Sequence, residues 1–148
     1  MSDTRAQAET YAREAALLRD AGDHYEALIH QRRAVALLRD TDDVPALANA
    51  IRQLADMLVD AGDPEEATAA VTEMLGLYHD MPDVSPLDIG DALRSAALQA
   101  EAINDIDTAW IFWIQARARY AVLGTSGDDA PVNLHVADAD ANLKRLRS

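Results

Sequence analysis

Arg52 and Arg94 are the residues of this chain whose type and spacing point most directly to chemistry. They stand 42 residues apart, at corresponding points of a recurring pattern. Asn49, Arg52 and Asp56 share one face at helical spacing. Two guanidinium groups brought side by side are suited to holding a carboxylate bidentately. The competing reading pairs Arg52 with Asp56 at i,i+4, an interaction of about 0.3–0.5 kcal/mol.

Other chemistry-bearing types offer little. His24, His30, His79 and His135 fit no zinc-ligand pattern. His79 with Asp80 and Asp83, or His135 with Asp138, would be the pairs to touch a metal, but helix-end capping and exposure to solvent account for them better. Asp40, Asp42 and Asp43 cluster without the calcium loop's central glycine and terminal glutamate. There is no cysteine, no glycine-rich phosphate loop and no nucleophile elbow. Carboxylates become persuasive catalysts when burial tunes them, and these read as solvated. The expectation is a chain that is not an enzyme and holds no cofactor or metal.

The elements that must position Arg52 and Arg94 are helices. Alanine and leucine recur at helical spacing almost throughout, and nothing alternates like a half-buried strand. Punctuation predicts seven helices. The first runs from about Asp3 to Ala21, where Gly22 stops it. Asp23 caps the second, with Glu26 in capping-box position, and that helix reaches about Asp40. After Thr41-Asp42-Asp43 the third runs to Gly62, with Pro45 tolerated in its first turn. Asp63-Pro64-Glu65-Glu66 then opens a fourth, to about His79. Ser85-Pro86-Leu87-Asp88 opens a fifth, to about Ile103. The sixth follows Asn104-Asp105 and reaches about Leu123. Residues 124–129 read as a flexible linker, and a last helix runs from about Ala130 to Leu146.

Asp-Ala-Gly-Asp occurs twice, at residues 20–23 and 60–63, with Asn104-Asp105 as a degenerate third copy. With the turns aligned, Ala15, Ala55 and Ala97 correspond, as do Ala27, Ala67 and Ala109, at offsets of 40 and then 42 residues. Small residues recur where two helices of a hairpin approach closely. Larger ones (Tyr11, Ile51 and Leu93; Gln31, Val71 and Trp113) recur between them.

The stretches Leu18–Ala27 and Leu58–Ala67, each built around that turn, resemble the tetratricopeptide repeat, in its long-helix form with repeats of 40–42 residues. The resemblance implies an all-α, TPR-like α-solenoid of three helix hairpins plus a C-terminal capping helix. As one domain over residues 1–148, it would place repeat 1 at about 3–40, repeat 2 at about 43–79, repeat 3 at about 86–123 and the cap at about 130–146. Glu14, where a large apolar residue is usual, and Ala100, where a bulky one is, depart from the pattern. The first helix of each pair would line a concave groove. Its inward positions would include Asn49, Arg52, Gln53 and Asp56, then Asp91, Arg94, Leu98 and Glu101. Chaperone-binding members of the family grip a C-terminal carboxylate with Lys and Asn. Here those positions read Ala12, Ala16, Gln53, Asp91 and Ser95, so no clamp of that kind is expected.

Five consecutive bulky residues, Trp110-Ile111-Phe112-Trp113-Ile114, cover every side of the sixth helix. Trp113 has the core register. The last helix, with Val132, Val136, Ala139 and Leu143 on one stripe, would cover part of the rest. The alternative is an interface through Trp110, Phe112 and Ile114.

Formal net charge is −13 over 148 residues, which argues against nucleic acid and anionic membrane as partners. Between Arg52 and Arg94 there are ten acidic residues and no Lys or Arg. The run offers a face to a basic partner. The plainer reading is that Asp63, Glu65, Glu66, Asp88 and Asp91 sit in first helical turns, where the helix dipole favours negative charge. The N-terminus has no apolar core of a signal peptide, and no apolar run approaches a membrane span. The expectation is a cytoplasmic protein–protein adaptor, a monomer or homodimer, whose groove binds a peptide or protein segment. The alternative is a self-associating structural module that dimerises through the sixth and last helices.

Overall fold

The computed structural model describes residues 2–124 and 133–148. Over these it is all-α, with α1 (Ser2–Asp20), α2 (His24–Arg39), α3 (Val44–Asp60), α4 (Ala67–Asp80), α5 (Pro86–Ala102), α6 (Ile106–Tyr120) and α7 (Leu134–Leu146). The expected linker beyond Gly124, the expected helix start at Ala130 and the stripe residue Val132 lie outside the described residues. None of the described helices is long and apolar enough to cross a membrane.

The repeated turn forms the same way three times. Gly22, Gly62 and Asn104 each take a left-handed backbone, at φ 82°, 85° and 63°. Glycine enters that region without steric cost, and asparagine is the side chain that tolerates it best. The following Asp then donates its N–H back across the turn, from Asp23 to the Leu18 carbonyl (2.8 Å), Asp63 to Leu58 (2.9 Å) and Asp105 to Ala100 (2.9 Å). Carbonyls left open at the helix end are thereby satisfied. Asp23 and Asp105 also cap the next helix, accepting from the Glu26 and Thr108 amides at 3.3 and 3.2 Å. The middle copy differs. Residues 64–66 form turns, and regular helix begins at Ala67. The Thr68 amide reaches the Glu65 carbonyl, three residues back, at 3.1 Å, so the first turn is wound in the tighter 3₁₀ manner.

The chain divides into two compact units, Met1–Met81 and Pro82–Ser148. In the first, α1 and α2 form one hairpin and α3 and α4 a second. Ala15, Ala27, Ala34 and Ala67 are fully buried, and Ile51, Met57, Leu58 and Met74 fill the space between the helices. Arginines of the first hairpin meet acids of the second: Arg19 with Asp60, Arg32 with Glu66 at 2.7 Å, and Arg39 with Glu73 through two bonds of 2.6 and 2.7 Å. Those two bonds hold the Glu73 carboxyl below its ordinary range.

In the second unit α5 and α6 form a hairpin and α7 lies against it. Trp113 and Tyr120 are fully buried. Trp113 packs with Ala97 and Ala139, and Leu98, Phe112 and Leu143 flank the cluster, so α7 covers the aromatic helix on one side. At Gly90 the α5 backbone runs so close to α6 that a Cβ there would stand 2.5 Å from the Tyr120 ring.

Three outcomes are expected in urea denaturation. Gly90→Ala lowers stability by about 1–3 kcal/mol through overpacking, because the Tyr120 ring is buried and cannot swing aside. Gly76→Ala, in α4 with nothing within 4 Å of its Cβ position, raises stability by about 0.5–1 kcal/mol. Glu73→Gln costs about 0.2–1 kcal/mol at pH 7, the range for exposed pairs. A lowered carboxyl stabilises the fold above its unfolded range and loses that contribution as pH falls through the lowered value. The variant and the parent therefore converge as pH falls below the ordinary carboxyl range.

Candidate functional site

The residues singled out in the sequence divide between the two units. Asn49, Arg52 and Asp56 lie on α3 in the first, and Arg94, Leu98 and Glu101 lie on α5 in the second. Each set is a connected cluster within its own unit.

On α3, the Arg52 guanidinium donates to Asn49 Oδ1 at 3.0 Å and stands 3.5 Å from the Asp56 carboxylate. The i,i+4 pair is therefore present, and an amide on the other side holds the guanidinium in place. Both charged side chains are largely covered, at 21% and 16% exposure. One turn away, α1 and α3 border a cleft of about 230 Å³, with Arg5 and Glu9 on one side, Asn49 and Gln53 on the other, and Gln31 of α2 in its lining. Arg5 is tied to Asp43 at 3.0 Å. Gln31 is fully buried. Its amide donates to the Ala50 carbonyl at 2.9 Å, while its Oε1 accepts no hydrogen bond among the described residues.

On α5 the side chains are engaged by neighbouring helices. Arg94 pairs with Asp138 of α7 at 3.1 Å. Leu98 packs against the Trp113 cluster. Glu101 accepts from the Trp113 indole at 2.8 Å and from Arg145 at 2.6 Å. A third contact joins the elements at the other end. The Tyr120 hydroxyl donates to Asp91 at 2.6 Å, and its ring stacks on His135 with centroids 4.6 Å apart. Burial, reinforced by the Asp91 bond, pushes the Tyr120 hydroxyl well above the ordinary phenol range. His135 is thus occupied as an aromatic partner of Tyr120.

Of the expected interface residues, Phe112 is half-buried against the Trp113 cluster, Ile114 is 45% exposed, and Trp110 lies under the Arg147 guanidinium at 4.4 Å. Among the ten acids between Arg52 and Arg94, Asp56, Asp60, Glu66 and Glu73 are paired with arginines and Asp91 with Tyr120. Asp60, Glu66 and Glu73 are thus internal partners for arginines of the first hairpin. Sequence reasoning placed Gln31 only among the space-filling positions. Its lone signal was a polar residue at a site where the corresponding residues are Val71 and Trp113.

The turn geometry, the hairpins and the alanine approaches agree with the comparison to known families. Residues 6–78 match the family model described as tetratricopeptide repeat. No curated protein matches the chain. Tetratricopeptide repeats generally mediate protein–protein interactions and are typically not enzymes. The match spans α1 to α4, where the repeated turn and both hairpins of the first unit lie, and this chain is a tetratricopeptide repeat protein.

Proposed function

We propose that the chain is a non-enzymatic adaptor that binds a peptide segment of another protein along the α1–α3 face, with Asn49, Arg52, Gln53 and Asp56 as its polar contacts. The cleft between α1 and α3 is the observation that carries this reading. It combines apolar walls from Ala8, Ala12 and Ala46 with a few convergent amides, the composition typical of binding clefts. Gln53 has no hydrogen-bond partner among the described residues, and neither does the Asn49 amino group. Such amides suit the alternating N–H and C=O groups of an extended backbone. Arg52, held between Asn49 and Asp56, adds a donor pre-set for a carboxylate or a carbonyl. Arg94, Leu98 and Glu101 are already engaged with α6 and α7. In this reading they hold the second unit together and leave recognition to the first. The repeat offsets of 40 and 42 residues support the long-helix subtype.

A random-peptide display selection against the whole chain tests the assignment. Selected peptides are expected to bind Gln53→Ala and Asn49→Ala about three- to tenfold more weakly, as the loss of one hydrogen bond of about 0.5–1.5 kcal/mol implies. Tyr25→Ala, at a side chain 74% exposed and outside the cleft, should leave affinity unchanged. Selected peptides indifferent to Gln53, Asn49 and Arg52 would place recognition elsewhere.

A further inference from the structure

The second unit leaves open a face whose counterpart within the first unit is covered. Aligned by the repeat offsets, Trp110 and Arg117 of α6 correspond to Leu28 and Val35 of α2. Leu28 and Val35 are buried. The α2 helix has α3 beside it, and α4 is tied to it through Arg32–Glu66 and Arg39–Glu73. In the second unit α7 takes the place of α3. Arg19 pairs with Asp60 between α1 and α3, and Arg94 with Asp138 between α5 and α7, at nearly the same separation along the chain. Among the described residues of this unit no helix takes the place of α4.

What stands open there is a cleft of about 390 Å³, lined by Trp110 and Arg117 of α6 with Asp140, Leu143, Lys144 and Arg147 at the end of α7. Ile106, Trp110, Ile114 and Arg117 form one stripe along α6. Asp140, Leu143, Lys144 and Arg147 form a matching stripe along the end of α7. Ile106 and Ile114 are 41% and 45% exposed. Trp110 and Leu143 give the cleft an apolar floor, and the exposed Ile106 and Ile114 extend the α6 stripe beyond it.

The rim is cationic in a protein of net charge −13. Asp140 is taken by Arg117. Lys144 has no carboxylate partner among the described residues. Arg147 has none either, and its guanidinium lies over the Trp110 ring at 4.4 Å. Stacking fixes a guanidinium while leaving its in-plane donors open. The helix dipole favours basic residues at a helix end, but it does not account for a tryptophan beneath one of them. The charge sense matches the covered counterpart, where α2 presents Arg32 and Arg39 and the incoming chain brings Glu66 and Glu73.

We propose that this α6–α7 face docks an acidic amphipathic helix of another protein, its apolar stripe on Trp110, Ile114 and Leu143 and its carboxylates on Lys144 and Arg147. Nucleic acid is disfavoured, because two open cations do not outweigh the field of the remaining charge.

The probe is a dye-labelled synthetic 18-residue helix with leucine on one face and glutamate flanking it, against the same peptide with lysine for glutamate. Both are titrated by fluorescence anisotropy. The glutamate peptide should bind at least tenfold tighter than the lysine peptide. In the double variant Lys144→Glu/Arg147→Glu that preference should reverse, a result that mere loss of folding does not produce. The proposal is overturned by no binding of the glutamate peptide up to millimolar concentration, by equal affinity for both peptides, or by a preference the double variant leaves unchanged. A solution mass that doubles with concentration in the parent, and not in the double variant, would assign the face to a second copy and overturn it as well.

Discussion

Close approach of helices through alanine is the constraint on which the rest of this structure depends. Ala15 against α2, Ala27 and Ala34 against α1, Ala97 against α6 and Ala109 and Ala116 against α5 are all fully buried. A residue with only a Cβ lets two helix axes come near, but it removes little apolar surface from water. At about 25 cal/mol per Å², an alanine contributes far less than a leucine or a tryptophan. The large buried side chains therefore cluster where more than two helices meet. In the second unit Trp113 lies between Ala97 of α5 and Ala139 of α7, and Tyr120 between Gly90 of α5 and His135 of α7. Gly90 takes the same economy one step further, giving up even the Cβ so that the Tyr120 ring can lie on the backbone.

The charge pattern follows from that geometry. Helices packed so closely leave only narrow margins between neighbouring hairpins, and long side chains bridge them. Arg19, Arg32 and Arg39 reach acids of the next hairpin, while Arg94 and Glu101 reach Asp138 and Arg145 of α7. Each exposed pair contributes little on its own. Together they explain why an acidic run with no Lys or Arg between Arg52 and Arg94 is tolerated. Asp56, Asp60, Glu66 and Glu73 are matched by Arg52, Arg19, Arg32 and Arg39, at or before its start in the chain. The net charge of −13 is consequently borne by the remaining acids, among them Asp63, Glu65 and Asp80.

Much of the fold was legible because its signals are local. The left-handed turn needs a glycine or asparagine at one position and an aspartate at the next, and both needs are written in adjacent residues. Helix starts at Ser85 and Asp105 were legible for the same reason, since a cap reads its own third neighbour. The start at Asp63 was only half legible. The capping signal is present, yet the amide of Thr68 bonds three residues back and delays regular helix to Ala67. The fate of Arg94, Leu98 and Glu101 was not legible. Their partners on α7 lie more than forty residues along the chain, and nothing local in α5 distinguishes a residue awaiting a peptide from one awaiting the next helix. The pairing of Tyr120 with Asp91 and His135 escaped for the same reason.

That last ambiguity has a physical root. In a stacked-hairpin architecture each hairpin is completed by its neighbour, so the surface that receives the next element and the surface that receives a partner obey the same rules of shape and charge. The two are told apart by what is already in place. On α3, Arg52 is held by its own helix, with Asn49 and Asp56 as partners and the cleft beside it open. On α5, Arg94 is held by another helix, and α7 has used the surface to continue the stack. Among the described residues α7 alone continues the stack, and α6 is left half covered. The exposed Ile106 and Ile114 and the guanidinium of Arg147 over Trp110 are the marks of a surface built to the stacking pattern but not closed by it. The same repetition that makes the fold readable therefore makes one set of rules serve both packing and recognition.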